Sequence, residues 1–179
     1  MRHVILYIAT SLDGKIAKAD GSVEWLENIP NPEKIDHGYS EFLAEVDTVL
    51  MGYNTYEQVK SFGEWPYPDT SNYVFTRKED MADTEEVTFI ESDPVEFIRE
   101  LKGLPGKNIW LVGGGKLNHY FLKNHLIDQI RLFVMPVALG TGIGLFDNLE
   151  IEHYFDVRRV IPYSTGAVEI EYHRITEED

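Results

Sequence analysis

One short segment constrains the fold most: an apolar run at residues 108–112 (NIWLV) leads directly into Gly113, Gly114 and Gly115. The residues that follow place apolar side chains at helical spacing, so the segment predicts a buried strand, a glycine turn and a helix. Backbone N–H groups at the start of a helix can bind an anion, and the helix dipole favours negative charge there. The pattern predicts a pyrophosphate site; a tight strand-to-helix turn without a ligand is the alternative.

The glycine segment matches neither of two common phosphate-binding motifs. Asn118 stands where the last glycine of the dinucleotide fingerprint G-x-G-x-x-G would be, and the chain has no G-x-x-x-x-G-K-[ST] sequence. A G-x-S-x-G motif is also missing, which disfavours a hydrolase. With no cysteine and no metal-ligand spacing among the six histidines, we predict no metal site.

The length of the chain indicates how many domains it forms, and its charge indicates which partners are disfavoured. Its 179 residues fit one domain, 1–179, and no linker divides it. Sixteen basic residues against thirty-one acidic residues give a net charge of -15, so the average field repels nucleic acid and anionic membranes. The N-terminal apolar run is shorter than a signal peptide or a spanning helix requires. We expect a cytoplasmic protein that binds a small molecule.

Strands and helices alternate along most of the chain. Residues 4–10 (VILYIAT) are apolar and β-branched or aromatic, which predicts a central strand buried on both faces. Residues 11–31 indicate a long loop, residues 36–46 a helix with one apolar face, and Asp93 the cap of a further helix. The last third favours strands that end in an antiparallel hairpin turning at residues 164–166. The pattern predicts an α/β domain on a mixed sheet of about seven or eight strands.

Polar chemistry also follows other predicted strands, and ligands in open α/β sheets bind outside the carboxyl ends of strands. One buried strand ends at Gly52, and a helix follows with Thr55 in its first turn, where Thr55 could simply cap the helix. Thr76, Arg77 and Lys78 follow another strand. These three residues could bind a phosphate monoester, or they could form a solvated turn.

The loop at residues 11–17 leaves the central strand and completes this set. Because four strand ends carry glycine or polar side chains, we expect them to form one ligand site. Asp36, at the start of the predicted helix over residues 36–46, is the candidate buried carboxylate. An ordinary acidic residue near a helix N-terminus is the alternative for Asp36.

Five segments occur in an order that is specific as a series: VILYIATSLDGKIA, DTVLMGYNTYE, VFTRK, LVGGGKLNHYFL and IRLFVMPVALGTGIGLF. Through these segments the chain resembles the dihydrofolate reductase-like superfamily over almost its whole length. It is more similar to the riboflavin-biosynthesis pyrimidine reductases, the C-terminal domain of a bifunctional deaminase-reductase, than to dihydrofolate reductase itself. The resemblance implies a three-layer fold with a central mixed sheet of about eight strands, helices on both faces and a C-terminal antiparallel hairpin.

The resemblance also implies reduced NADP (NADPH) bound across the strand ends. The cofactor-binding turn would consist of Gly52, Asn54 and Thr55. The adenosine 2′-phosphate site would consist of Thr76, Arg77 and Lys78. The pyrophosphate loop, with a cis bond between its first two glycines, would consist of Val112, Gly113, Gly114, Gly115, Lys116 and Leu117. The loop over the nicotinamide would include Ala9, Asp13, Gly14 and Ile16.

Two acidic residues, Asp13 and Asp36, are the candidate catalytic groups under this resemblance. Asp36 precedes Gly52 by sixteen residues. Dihydrofolate reductases have their pterin-anchoring acid at that spacing, whereas the riboflavin-type reductases do not share it. The glycine-rich stretch at residues 140–146 (GTGIGLF) resembles the riboflavin-type segment near the substrate, and a plain glycine-rich loop is its alternative.

One departure from the dihydrofolate reductase pattern concerns the cofactor. Tyr53 stands where those enzymes usually have an arginine that reaches the 2′-phosphate. A preference for NADP over NAD would therefore depend on Arg77 and Lys78.

The leading hypothesis is an NADPH-dependent reductase similar to the 5-amino-6-(5-phosphoribosylamino)uracil reductase of riboflavin biosynthesis, acting on a small heterocyclic or ribosyl substrate. Lys15 and Lys116 are the candidates for binding a substrate phosphate. The alternatives within the fold are a dihydrofolate reductase that uses Asp36 and an NADPH-binding module without turnover. A structural α/β domain whose glycines only form turns is the alternative outside it. The resemblance also implies a homodimer, with residues 133–137 or the C-terminal hairpin as contact surfaces.

Overall fold

A computed structural model describes residues 2–146, 150 and 152–175. Eight strands form one mixed sheet and two short strands form a second, antiparallel sheet. In chain order the strands are β1 (Val4–Thr10), β2 (Lys15–Ala17), β3 (Val46–Gly52), β4 (Ser71–Phe75), β5 (Thr88–Ile90), β6 (Asn108–Gly113), β7 (Gln129–Val134), β8 (Ile143–Gly144), β9 (Phe155–Pro162) and β10 (Val168–Arg174). The large sheet has the order β5-β4-β3-β6-β1-β7-β10-β9. The α-helices are α1 (Tyr39–Ala44), α2 (Tyr53–Ser61), α3 (Pro94–Gly103) and α4 (Gly115–Lys123).

The central strand of the large sheet is β1, as its sequence predicts. It pairs in parallel with β6 on one side and β7 on the other, and Val4, Ile5 and Leu6 are completely buried. A strand covered on both faces needs apolar side chains at successive positions, which this sequence supplies. Because alternate side chains of a strand point to opposite faces, Leu6 and Ile5 enter two different cores.

Helices cover both faces of the sheet and complete the three layers. Ile98 of α3 and Phe121 of α4 pack in the core that contains Leu6. Phe42 of α1 and Tyr56 of α2 pack in the core that contains Ile5. The fold class predicted from the sequence, a three-layer α/β domain of dihydrofolate reductase type with a central mixed sheet, is therefore confirmed.

The start of α3 agrees with its sequence signals. The Asp93 carboxylate accepts a 2.7 Å hydrogen bond from the backbone N–H of Val95, and Pro94 occupies the first helical position. Ile98 and Leu101 form the buried face of this helix. All of these signals are local, so the sequence alone is enough to predict where the helix begins.

Residues 11–31, predicted as a loop, contain local structure. β2 pairs with β8 in the small antiparallel sheet, and a short 3-10 helix spans Glu24–Leu26. Within it, the Trp25 side chain is only 3% exposed and packs in a core with Phe133 and Met135. Strands this short give no alternating pattern in the sequence, and their pairing depends on residues far along the chain.

The helix predicted over residues 36–46 is shorter in the structure. Gly38, with a φ of 76°, immediately precedes α1. At the other end, Val46 already pairs with Asn108 as the first residue of β3. The backbone must leave the helix at Ala44 to enter the sheet, so strand pairing determines where α1 ends.

β9 and β10 form the predicted antiparallel hairpin at the C-terminal end of the fold. β9 is the edge strand of the sheet, and Val157 and Val160 on it are more than half exposed. By contrast, Phe133 and Met135 are buried beneath Trp25. The suggestion that residues 133–137 form a dimer contact is therefore wrong for these two side chains. The homodimer itself stays a prediction.

Two features, a membrane-spanning helix and a cluster of metal ligands, are not found among the residues that the structure describes. Within the part of the chain that the structure describes, no helix has the length and apolar character needed to cross a bilayer. Nor do any three His, Asp or Glu side chains among the described residues lie close enough together to hold a metal ion.

Candidate active site

The predicted ligand-binding segments leave the sheet along one edge. β1, β3, β4, β6 and β7 run parallel to one another, so their carboxyl ends lie on the same side. Met51 pairs with Gly113 and Gly52 pairs with Phe75, which places β3 between the glycine segment and residues 76–78. Since neighbouring strands lie about 4.8 Å apart, these two segments begin about 10 Å from each other. One dinucleotide can span that distance.

The glycine segment packs closely against the start of α2. A Cβ atom at Gly114 would lie 3.4 Å from Thr55 Oγ1, and one at Gly113 would lie 3.3 Å from Asn118 Oδ1. The φ of Gly113 is 122°, which favours glycine, and the bond between Gly113 and Gly114 is cis, as the resemblance implies. α4 begins at Gly115, and no side chain in the described part of the chain caps it. Its first N–H groups are available to a phosphate, so this cradle fits the pyrophosphate of a dinucleotide.

Asn118 is a site residue that the sequence analysis did not identify. Its side chain is completely buried, and Nδ2 donates a 3.2 Å hydrogen bond to the carbonyl oxygen of Leu145. Its backbone N–H donates to the carbonyl oxygen of Gly114 at 2.9 Å. These bonds connect the glycine turn to the stretch at residues 140–146. The sequence does hold one sign of this role. Asn118 lies three and four residues before Phe121 and Leu122, so it shares the buried face of the helix although it is polar.

The start of α2 combines a glycine, a hydroxyl and a stacked cation. Gly52 occupies the N-cap position and no described side chain caps the helix, so Thr55 is not its cap. Lys78 Nζ lies 3.8 Å from the centroid of the Tyr53 ring. The hydroxyl of Thr76 accepts a 3.0 Å hydrogen bond from the backbone N–H of Lys78, which fixes the turn after β4. The cation therefore stands at the same edge of the sheet as the glycine segment, but it follows β4 whereas the glycine segment follows β6.

The carboxylate of Asp13 joins the loop after β1 to the turn before β8. It accepts hydrogen bonds from the Ser11 hydroxyl at 2.6 Å and from the backbone N–H groups of Leu139 and Gly140 at 2.9 and 2.7 Å. These bonds, first of all that from Ser11, lower the pKa of Asp13 to about 2. The side chain is therefore ionised at neutral pH and holds two loops together. Its catalytic role stays a prediction.

The other residues predicted to face the nicotinamide lie beside Asp13. The carbonyl oxygen of Gly14 accepts a 3.0 Å hydrogen bond from the backbone N–H of Leu145. Ile16 belongs to β2, and Ala9, near the end of β1, packs against the core that contains Trp25. The small sheet thus brings the loop after β1 and the stretch at residues 140–146 together.

Asp36 is not the buried carboxylate that the sequence suggested. Its side chain is exposed, and its oxygens accept hydrogen bonds from the backbone N–H groups of Gly38 at 3.0 Å and Ser40 at 3.1 Å. Hydrogen bonds from Ser40 and Gly38 lower the pKa of Asp36. This geometry agrees with the alternative given for Asp36 from the sequence, an ordinary acidic residue near a helix N-terminus. A catalytic role for Asp36 stays a prediction.

Aromatic rings cover the face of the sheet beside α1, a feature that the sequence analysis missed. The Tyr7 ring stacks on the Phe42 ring at a centroid distance of 4.1 Å. The centroid of the Tyr39 ring lies 6.1 Å from that of Tyr7. Trp110 donates a 3.2 Å hydrogen bond from Nε1 to the carbonyl oxygen of Tyr7. Burial raises the pKa of both Tyr7 and Tyr39, so their hydroxyls stay protonated at neutral pH. In the sequence, Tyr7 lies inside the apolar run of β1, so nothing there distinguishes it from an ordinary core residue.

Comparisons with known proteins agree with this architecture. A family model described as the RibD C-terminal domain matches residues 2–168. The chain is 46% identical over 152 residues to the uncharacterized protein YwjB of Bacillus subtilis, a match that covers 84% of this chain and 86% of that protein.

Two solved structures extend the comparison to the fold. A Shewanella sp. PV-4 protein described as a riboflavin biosynthesis protein superposes with a TM-score of 0.88 and 32% identity, covering 97% of this chain and 99% of that one. Dihydrofolate reductase from Enterococcus faecalis, complexed with NADP(H), superposes with a TM-score of 0.70, covering 97% of each chain. At 16% identity the second likeness shows the fold alone.

Proposed function

The chain belongs to the RibD C-terminal domain family, and we propose that it is an NADPH-dependent reductase that transfers hydride to a small heterocyclic or ribosyl substrate. The family and the dihydrofolate reductase-like fold support a reductase-like role of the riboflavin-pathway type. One observation carries the proposal. Met51 pairs with Gly113 and Gly52 pairs with Phe75, so two candidate phosphate-binding segments emerge at neighbouring strand ends.

Each charged part of NADPH has a matching group on this edge. Backbone N–H groups from Gly115 to Leu117 would bind the pyrophosphate, and Arg77 and Lys78 would bind the 2′-phosphate. In a chain with a net charge of -15, an anionic cofactor needs such local help. The direct stacking of Lys78 on Tyr53 supports this assignment, because Tyr53 keeps the ammonium group at the strand end.

The chemistry would come from the cofactor, and the chain would position it. When bound, NADPH supplies a hydride to the carbon of a C=N or C=O bond, the nitrogen or oxygen takes a proton from solvent, and NADP+ remains. The loop that Asp13 holds against Leu139 and Gly140 would cover the nicotinamide. Asn118 would keep the glycine turn and the 140–146 stretch in fixed relation beneath it.

Cofactor binding tests the first half of the proposal. Thermal unfolding of the protein should shift upward with NADPH, because a ligand at a hundred times its Kd adds about 2.7 kcal/mol of stability. NADH at the same concentration should give a smaller shift. An unfolding curve that NADPH does not move would contradict the proposal and favour a structural domain whose glycines only form turns.

Turnover tests the second half. Loss of the absorbance of reduced nicotinamide should be followed with dihydrofolate and with 5-amino-6-(5-phosphoribosylamino)uracil as separate substrates. Multiple turnovers with either compound would support a reductase. Tight NADPH binding without oxidation, across these and related heterocycles, would instead identify a nucleotide-binding module.

A further inference from the structure

The backbone of Leu145 is hydrogen-bonded to two different parts of the candidate active site. Its carbonyl oxygen accepts a 3.2 Å hydrogen bond from Asn118 Nδ2, in the first half of α4. Its backbone N–H donates a 3.0 Å hydrogen bond to the carbonyl oxygen of Gly14, in the loop after β1. Leu145 therefore stands between the helix that begins at the glycine turn and the loop predicted to cover the nicotinamide.

Asn118 is packed directly against the glycine turn. Its side chain is completely buried, and its backbone N–H donates to the carbonyl oxygen of Gly114 at 2.9 Å. A Cβ atom at Gly113 would lie 3.3 Å from Asn118 Oδ1 and 3.4 Å from Nδ2. Because protein interiors are close-packed, a buried amide in such contact cannot shift independently of the turn. A ligand that fixes the turn would therefore also fix Asn118.

The stretch at residues 140–146 depends on bonds from elsewhere in the chain. Three of its seven residues are glycines, and a glycine loses more conformational freedom on ordering than any other residue. Asp13 accepts the N–H of Gly140 at 2.7 Å near one end, and Asn118 donates to Leu145 near the other. The order of the stretch is therefore sensitive to the loss of either side chain.

The side chain of Leu145 stiffens the connection. It is half-buried and packs against the core that contains Phe121 of α4. Leu145 thus follows α4 through both a hydrogen bond and an apolar contact, while its N–H group holds Gly14. Packed side chains and hydrogen bonds in such a continuous series can transmit a change at one site to another.

We propose that Asn118 is a positioning residue that couples binding of the cofactor pyrophosphate to ordering of the loop over the nicotinamide. The inference rests on the proposed function, because it requires the glycine turn to bind a dinucleotide. The pyrophosphate fixes the turn, Asn118 fixes Leu145, and Leu145 fixes Gly14. Such coupling is reciprocal, so a loop that is already ordered strengthens binding at the turn by the same factor.

A cofactor fragment separates this coupling from direct contact with the loop. 2′-Phospho-ADP-ribose carries the pyrophosphate and the 2′-phosphate of NADP+ but lacks the nicotinamide ring that the loop would cover. We expect a saturating concentration to slow amide hydrogen exchange at Leu145 about fivefold or more. The Leu145 N–H reports on the loop because it donates to Gly14. Unchanged exchange at Leu145 in the wild-type protein saturated with the fragment would overturn the proposal.

Asn118→Leu tests the residue itself, because leucine has the same branched shape but cannot donate to Leu145. The fragment should still bind, at most about tenfold more weakly, and should no longer slow exchange at Leu145. Asn124→Leu is the matched control, since Asn124 follows the same helix and donates to the carbonyl oxygen of Tyr120 at 2.8 Å. The control should keep the wild-type response. Slowing that persists in Asn118→Leu would refute the role of Asn118.

Asp13→Asn supplies a second measurement in a protein whose Asn118 is intact. It loosens the loop from the other side, where Asp13 is bonded to Leu139 and Gly140. Reciprocity predicts that the Kd for the fragment rises about threefold, whereas Asp69→Asn, which removes the same charge from an exposed position, leaves it unchanged. Combined with Asn118→Leu, the Asp13→Asn change should add nothing further. Fully additive losses in the double variant would contradict the coupling.

Failure of this inference is distinguishable from failure of the proposed function. If neither NADPH nor the fragment binds the wild-type protein, the reductase proposal fails and the coupling fails with it. If NADPH binds and is oxidised while the fragment leaves exchange at Leu145 unchanged, the reductase proposal holds and only the coupling through Asn118 is wrong.

Discussion

The ammonium nitrogen of Lys78 lies 3.8 Å from the centroid of the Tyr53 ring, so the turn after β4 is stacked on the first residue of α2. This contact joins two segments that are far apart in the sequence. It also explains how a cation can be held at the start of α2, where Tyr53 stands at the position of the arginine that dihydrofolate reductases usually have. A cation over an aromatic face gains a modest electrostatic attraction without losing its charge.

The Lys78→Ala variant tests whether this cation binds the 2′-phosphate. We expect the Kd for NADPH to rise about tenfold, because one charge-assisted hydrogen bond to phosphate is lost. The Kd for NADH, which has no 2′-phosphate, should stay nearly constant. Lys123→Ala, an exposed cation at the end of α4, is the control. Equal losses for both cofactors would place Lys78 outside the 2′-phosphate site.

Gly113→Ala tests the backbone of the glycine turn. The new methyl group would sit 3.3 Å from Asn118 Oδ1 at a φ of 122°, which alanine rarely adopts. We expect the free energy of unfolding to fall by about 1–3 kcal/mol and NADPH binding to weaken. Gly103→Ala, at the end of α3 with no atom within 4 Å, should be nearly neutral in denaturant unfolding. Equal stability of the two variants would contradict the expected strain.

Features of the fold that depend on neighbouring residues in the chain were predictable from the sequence. β1 follows from seven successive residues with apolar or β-branched character, and α3 from Asp93, Pro94 and the apolar stripe behind them. The candidate phosphate-binding segments were also predictable one by one. Their meeting at one edge follows because parallel strands carry their carboxyl ends to the same side.

Features that depend on distant partners were not predictable. β2 and β8 exist because Lys15 and Gly144 pair with each other, and neither short segment has a pattern of its own. Asn118 gains its role from Leu145, and Tyr7 gains its surroundings from the rings of Tyr39 and Phe42 that α1 brings next to it. Asp36 was misjudged for the same reason. Its spacing from Gly52 says nothing about whether the folded chain buries it.

Arg2→Ala tests a buried polar cluster at the opposite, amino edge of the sheet. The Arg2 side chain is 6% exposed, is paired with Asp47 and donates to the Thr48 hydroxyl at 2.6 Å and to the carbonyl oxygen of Lys107 at 2.7 Å. Removing it should lower the free energy of unfolding by about 3 kcal/mol, since the partners lose a buried charge-assisted donor. NADPH affinity should not change. The exposed Arg99→Ala variant is the control, and a similar loss of stability there would contradict the cluster's importance.

Asp36→Asn tests the dihydrofolate reductase alternative. Because the carboxylate is exposed and bonded to the N–H groups of Gly38 and Ser40, we expect turnover and NADPH affinity to stay within about twofold. Hydrogen bonding lowers the pKa of Asp36, so the stability it contributes is present at neutral pH and is lost in acid. Steady-state kinetics with dihydrofolate provide the measurement. A loss of about a hundredfold or more in kcat, with cofactor binding intact, would assign Asp36 to the pterin-anchoring role.

Asp13→Asn tests the bond between the loop after β1 and the turn at Leu139 and Gly140. The folded pKa of about 2 lies below the unfolded value of about 3.9. The stability from Asp13 is therefore fully present above about pH 4 and is lost as the pH falls through 2. At pH 7 the variant should show faster amide exchange at Leu139 and Gly140, because an amide replaces one accepting oxygen.

The pH dependence of the Asp13→Asn effect separates this bond from a general change in charge. The difference in unfolding free energy between wild type and Asp13→Asn should shrink between about pH 4 and pH 2, as the wild-type carboxylate becomes protonated. The KM for NADPH should rise in the variant, since a loosened loop covers the nicotinamide less well. Asp69→Asn, an exposed acid in the loop before β4, should show neither effect. If amide exchange at Leu139 and Gly140 is the same in both variants, Asp13 does not hold the two loops together.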